Sequence, residues 1–222
     1  LMHGSLGNDF TSAYFFRGIL QENQGAIAEP FVDLAMPLFE GEGEVRNVEL
    51  HFGQWNSLHD GPSGTAGPQS MWYENDLYVG VEVTGDDRWS LGVTYTNYYS
   101  PNSRFGTVQE IAASLGYDDR GQIADGFAGL QPRVLVAFET SGRADAVGGR
   151  GVYGEISLGP QFALGSVGPM DVALELPLKL GISLGDYYES ALTGESTFGY
   201  LDIGAVLRAP LSFLPRRFGP WE

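Results

Sequence analysis

Along residues 171–185 apolar side chains occupy every second position. Val172, Leu174, Leu176, Leu178, Leu180, Ile182 and Leu184 fall on one side, and Asp171, Ala173, Glu175, Pro177, Lys179, Gly181 and Ser183 fall on the other. Only an extended strand separates faces with a period of two. Alternation predicts further strands over 26–38, 45–55, 72–84 and 89–99, and the series they belong to includes 10–20, 107–117, 130–140, 151–164 and 198–213, with a start to another at 218–222. In 72–84, for example, Leu77, Val79, Val81 and Val83 oppose Tyr78, Gly80, Glu82 and Thr84. The run Ile111–Leu115 could be helical in isolation, but turn signals flank it and Gly116 follows, so it reads as strand. No helical period of useful length and no linker is present, so residues 1–222 read as one all-β domain.

The connections alternate in length. Residues 41–44, 85–87 and 165–169 are short, whereas 56–71, 98–106, 141–150 and 186–197 are long and polar. Each long loop follows an odd-numbered strand, which puts the long loops at one end of a meander, as in outer-membrane barrels. The twelve-residue connection 118–129 breaks this rule. Trp55, Trp72, Tyr73, Trp89, Tyr98, Tyr99, Tyr117, Tyr187, Tyr188 and Trp221 lie near strand ends, where a membrane barrel would carry two aromatic girdles.

Composition narrows the class further. The chain has 32 glycines and no cysteine, which excludes disulfide and thiolate chemistry. A formal net charge of -16 argues against a nucleic-acid partner. No apolar run reaches the ~20 residues of a membrane helix, so a membrane role would use strands. The opening Leu-Met-His-Gly-Ser-Leu-Gly shows no basic segment followed by an apolar one, as expected of a processed mature chain.

Several segments resemble the TorF family of outer-membrane porins, the Gcw_chp type of conserved β-barrel. They are Ser-Ala-Tyr-Phe-Phe-Arg-Gly-Ile (12–19), Leu-Tyr-Val-Gly-Val-Glu-Val (77–83), Leu-Gly-Val-Thr-Tyr-Thr-Asn-Tyr-Tyr (91–99), Leu-Gly-Asp-Tyr-Tyr-Glu (184–189) and Phe-Gly-Tyr-Leu-Asp-Ile-Gly (198–204). The resemblance implies a bacterial outer-membrane location, an antiparallel up-and-down transmembrane barrel of about twelve strands, and a pore role. Ten or eleven of those strands are visible, and the chain departs from the family in ending at Trp221-Glu222 without a closing amphipathic strand.

With the apolar face toward lipid, the expected pore lining is Arg17, Glu29, Asp33, Glu49, His51, Glu82, Glu110, Arg133, Glu139, Glu155, Asp171, Glu175, Lys179, Asp202 and Arg208. Its negative balance predicts a cation-preferring passive channel, narrowed by Phe31, Trp55, Tyr78, Tyr153 and Tyr200. The expected surroundings are membrane lipid or lipopolysaccharide. Small solutes or ions would pass through, and the loops could serve a homo-oligomer or protein partner.

Two rival readings remain at this stage, a barrel with a closed lumen that scaffolds a partner, and a soluble lipocalin-like binder with its leucines inside. The last would seal Leu174, Leu176 and Leu178 in the centre and turn Glu175 and Lys179 outward. No enzyme is expected. His51, Asp60 and Ser57 or Ser70 could be drawn as a hydrolytic set. The simpler expectation is that His51 lines the lumen and His59 is a solvated loop residue. The acidic pairs Asp86-Asp87 and Asp118-Asp119 lack calcium-loop spacing. Gly148-Gly149 lacks the lysine and helix of a phosphate loop. No cofactor or metal is expected.

Overall fold

A computed structural model describes all residues except 66–68, 87, 125–126, 169, 191–193 and 212–222. Its main sheet has ten antiparallel strands in the order β1 (His3–Thr11), β4 (Ile27–Glu40), β5 (Val45–His59), β6 (Trp72–Gly85), β7 (Trp89–Tyr99), β8 (Val108–Tyr117), β9 (Arg133–Ser141), β10 (Val152–Leu158), β13 (Leu178–Gly185) and β16 (Phe198–Ile203). Every neighbour in this order is the next long segment of the chain, which is an up-and-down meander. The strand expectation for Ile111–Leu115 holds within β8.

Three ribbons continue past a break into a smaller sheet of β11 (Gln161–Val167), β12 (Met170–Glu175) and β17 (Val206–Arg208), and β14 (Glu189–Ser190) pairs with β15 (Gly194–Glu195) in the connection after β13. The breaks fall at Gly159-Pro160, Leu176-Pro177 and Gly204-Ala205. Proline cannot donate to a ladder. The ribbons are stitched across the gap instead by Leu176 N–H to the Pro160 carbonyl (3.0 Å) and Gly204 N–H to the Pro177 carbonyl (2.9 Å). Among the described residues the sheet is open between β1 and β16, and closure into a barrel is not observed. The segment 218–222 lies outside the described residues.

The predicted strand 10–20 is a correction. The first wall strand ends at Thr11, and the chain then turns back as a hairpin of β2 (Tyr14–Phe16) and β3 (Ile19–Glu22). Its two-residue turn is Arg17 (φ 47°) and Gly18 (φ 78°). Positive φ at both positions is what a tight hairpin with right-twisted strands demands.

Side chains sort by face. Leu34, Phe52, Val79, Tyr95, Ile111 and Phe138 form one continuous cross-strand row from β4 to β9. The adjacent row on the opposite face is Asp33, Gly53, Tyr78, Thr96, Glu110 and Glu139. The apolar row is the outer one: Val79 is 44% exposed and Phe138 49%, whereas Glu110 is 2% exposed.

The polar face is concave and holds the β2–β3 hairpin. Tyr14 packs against Trp55 and Tyr73 from β5 and β6, while Gly18 lies against Tyr200 of β16. One small hairpin therefore touches strands near both ends of the sheet order, which requires the sheet to curl around it.

Candidate functional site: a polar concave face and its inward hairpin

The hairpin enters from the end that carries the long connections, and its tip is pinned by Arg17. The guanidinium makes a two-pronged contact with Glu110 (Nη1–Oε2 2.5 Å, Nη2–Oε1 2.7 Å) and donates to the Tyr187 hydroxyl at 2.7 Å. It lies 4.0 Å from the centroid of the Tyr153 ring. Tyr188 donates to the Arg17 carbonyl at 3.0 Å. A Cβ at position 18 would sit 2.6 Å from Tyr200 Cβ, so the tip needs glycine for contact as well as for φ. Arg17, expected on a wall strand, thus lies in the plug, and it neutralises Glu110, expected to line an open pore.

Beside the tip, Tyr153 and Tyr200 share a hydroxyl contact of 2.8 Å, and each donates to Glu155 Oε2, at 2.7 and 3.1 Å. Glu139 accepts from the amides of Ala144 (2.6 Å) and Gly151 (2.7 Å) and so folds the 142–151 loop over the mouth. Trp55, Tyr73, Tyr98, Tyr187 and Tyr188, expected in an outer girdle, instead line the lumen around the hairpin. Trp89 and Tyr117 do pair at the short-turn end, with ring centroids 4.6 Å apart. Trp221 lies outside the described residues.

A second anchor holds the hairpin base. Ser57 Oγ lies 2.7 Å from His59 Nε2, His59 Nδ1 lies 2.6 Å from Ser63 Oγ, and Ser63 donates to Glu22 Oε2 at 2.6 Å. The Ser63 proton is committed to the carboxylate, so His59 donates from Nδ1 and accepts the Ser57 proton at Nε2. His59 is therefore no solvated loop residue: it is fully buried at the end of β5 and stacks on Tyr73, centroids 4.4 Å apart. A bulge at Tyr73, where Ser57 faces Glu74 but Leu58 faces Trp72, turns that ring inward. Burial by itself raises the Glu22 carboxyl, yet hydrogen bonds from the Ser63 hydroxyl and amide and from the Gln24 and Asn23 amides hold it down at about 2. Ser57 is as buried as His59, and this chain of bonds clasps the base of the hairpin to the end of β5.

Toward the short-turn end the polar face holds a cavity of about 250 Å³ whose lining includes Asp33, His51, Tyr78, Glu82 and Arg133. Tyr78 donates to Asp33 (2.8 Å), His51 lies 3.5 Å from Glu49, and Arg133 donates to Ser114 (2.8 Å). A further space of about 510 Å³ is bordered by Arg17, Glu155, Lys179 and Asp202. Lys179 and Asp202 face each other in register.

Asp171, Glu175 and Arg208 lie beyond the break in the smaller sheet, where Arg208 donates to Glu175 at 2.8 Å and Ser166 donates to Asp171 at 2.6 Å. Along β12–β13 the faces are less cleanly sorted, since Leu176 and Lys179 are both exposed beside the open edge. Leu174 and Leu178 are half-buried there, not sealed in a centre. Of the residues expected in the pore lining, Arg17 lies in the β2–β3 turn, Asp171, Glu175 and Arg208 in the small sheet, and the others on strands of the main sheet.

Glu29, Glu74 and Asp76 form part of the buried polar face beside the hairpin, and Glu22 is buried at the hairpin's own base. Of these, alternation singled out only Glu29. The polar run Tyr73-Glu74-Asn75-Asp76, out of phase with the alternation that follows, is the sequence signal for the bulged rim. In the 118–132 connection, the Leu130 and Gln131 amides hold Asp119 below its ordinary range, and Arg120 does the same for Asp118. Protein donors thereby occupy that acidic pair. Asp87 of the other pair is outside the described residues.

No family model, curated protein or solved structure matches the chain. The likeness to the TorF porins therefore stands on the motifs quoted above.

Proposed function

We propose that the chain is a β-barrel of a bacterial outer membrane whose lumen is a narrow, cation-preferring passive conduit for small solutes, constricted at the long-loop end by the β2–β3 hairpin. The observation that carries this reading is the inversion of polarity across the sheet. Leu77, Val79, Val93, Ile111 and Phe138 are exposed while Glu29, Glu74, Asp76, Glu110 and Glu139 are buried. A soluble binder has no use for a contiguous greasy exterior wrapped around carboxylates, whereas hydrocarbon outside and water inside favour that arrangement. It also speaks against the lipocalin-like alternative.

Cation preference follows from the lining. Asp33, Glu82, Glu155 and Asp202 border the two inner spaces and Glu49 lies beside His51, with Arg17, Arg133 and Lys179 as the basic residues among them. A narrow path edged mostly by carboxylates repels anions. The Arg17 clamp favours a second reading, a barrel shut by its plug that acts through its long loops. Reconstitution in planar bilayers under a potassium chloride gradient separates the two. The conduit reading predicts small conductances with a cation-selective reversal potential. A silent bilayer with correctly inserted protein supports the shut barrel.

A further inference from the structure

Two guanidiniums at the long-loop end have no carboxylate partner. Arg104, in the connection from β7 to β8, donates from Nε to the Ser63 carbonyl at 2.9 Å and from Nη2 to the Pro62 carbonyl. Arg143, in the connection from β9 to β10, donates from Nη1 to the Gly148 carbonyl. Among the described residues neither forms an ion pair. Neutral carbonyls fix where a guanidinium sits without cancelling its charge, and a guanidinium has five N–H donors, so each arginine keeps donors to spare.

Both stems are anchored. The Arg104 amide donates to the buried Ser100 Oγ at 3.0 Å, and that hydroxyl donates in turn to the Tyr73 carbonyl at 2.8 Å. Arg143 precedes Ala144, whose amide Glu139 holds at 2.6 Å. In a chain with 28 acidic and 12 basic residues, two held guanidiniums without a counter-charge at one mouth call for an anion.

The two arginines border one cavity, of about 310 Å³, with Phe16, Tyr98, Phe105 and Val108 as its apolar walls. The carboxyl groups in its lining are already engaged. Glu110 is held by both prongs of Arg17, and Glu74 accepts from Tyr14 at 2.9 Å and bonds Asp76, with which it shares a proton. Those two acids come from the wall strands β6 and β8, whereas the arginines come from the loops. An entering molecule therefore meets positive charge at the loop rim and ring faces beside it.

We propose that this mouth cavity binds a small aromatic carboxylate, with its charged end on Arg104 and Arg143 and its ring between Phe16, Tyr98 and Phe105. A planar guanidinium fork suits a carboxylate because it meets both oxygens at once. The site goes beyond the conduit described above and does not rest on it. Asp33, Glu82 and Asp202, which give the conduit its cation preference, border other spaces.

The test is isothermal titration of the detergent-solubilised protein at pH 7 with sodium phenylacetate, with phenylacetamide, its neutral and nearly isosteric counterpart, as the matched probe. The anion should bind saturably and the amide at least about tenfold more weakly. Arg104→Gln and Arg143→Gln should each weaken the anion about tenfold, and Phe105→Ala should weaken both probes severalfold. Arg150→Gln removes a loop guanidinium that bonds the Thr140 carbonyl and does not line the cavity, so it should bind like the parent. Far-ultraviolet circular dichroism verifies that each variant is folded. Absence of saturable binding, equal binding of the amide, parent-like binding by either folded Arg104→Gln or Arg143→Gln, or an equal loss in Arg150→Gln each overturns the proposal. A protein that binds phenylacetate but carries no current leaves this site standing and removes the conduit.

Discussion

Arg17 and Glu110 stand 93 residues apart in the chain, yet the tip of the hairpin and the wall of the sheet meet through both guanidinium prongs, at 2.5 and 2.7 Å. The contact is almost solvent-free, with side-chain exposures of 14% and 3%. It ties the hairpin tip to the wall of the sheet.

Removing one partner leaves the other charge buried and unpaired, which costs more than the pair contributes. Arg17→Ala should destabilise the protein in lipid vesicles by about 3–5 kcal/mol by urea titration. It should also raise single-channel conductance as the hairpin tip loosens. Arg17→Met combined with Glu110→Leu should recover most of the stability, because no lone charge remains.

The outward faces make a depth-dependent prediction. Val93 pairs with Val81 and Ala113 in the middle of the sheet and is 49% exposed. Val93→Arg should cost about 2–4 kcal/mol in a bilayer. Thr94→Arg, one residue on and facing the lumen, should instead lower cation selectivity in a reversal-potential measurement while leaving the unfolding midpoint nearly unchanged.

The Glu22 clasp sets a pH window. Its folded pKa, about 2, lies below the ordinary 4.5, so its stabilisation is complete above pH 4.5 and fades as pH falls toward 2. Glu22→Gln should therefore be less stable than the parent by about 1–3 kcal/mol at neutral pH, the range for a hydrogen-bonded charge. The two melting curves should converge between pH 4.5 and 2. A constant difference across that window would remove the clasp.

His59 carries the same clasp from the other side. His59→Phe keeps the ring against Tyr73 but leaves the buried Ser57 hydroxyl without its acceptor. A loss of about 1–3 kcal/mol is expected from that orphaned group, read as a lower temperature of heat-modified migration. Ser57→Ala on the same background should recover part of it.

The wall of this protein is written plainly in its sequence, and its interior is not. Alternation at Leu77, Val79 and Val81 announces strand and face together, because a period of two has only one structural solution. The hairpin is hidden because Phe-Thr-Ser-Ala-Tyr-Phe-Phe-Arg-Gly-Ile-Leu is as rich in aromatic and β-branched residues as a wall strand, and Arg17-Gly18 is not the Asn-Gly or Asp-Gly that flags a two-residue turn.

Once that segment folds inward, the aromatics near it change role. Tyr98 and Tyr187 look like interface rings by position, but the plug offers them more contact than lipid headgroups would. His59 looks solvated by position for the same reason: whether the end of β5 is wet depends on Glu22 and Ser63, which approach it from elsewhere in the chain. The bulge at Tyr73 shifts a face by one residue, and only the out-of-phase Tyr-Glu-Asn-Asp run hints at it.

The central claim concerns which face of the sheet meets hydrocarbon, and site-directed spin labelling in liposomes tests it directly. The chain has no cysteine, so single substitutions carry a label cleanly. Labels at Val79→Cys and Ile111→Cys should relax with dissolved oxygen and ignore a water-soluble nickel chelate, while labels at Glu82→Cys and Thr94→Cys should do the reverse. Nickel reaching Val79 and Ile111 while oxygen dominates at Glu82 and Thr94 would contradict the account.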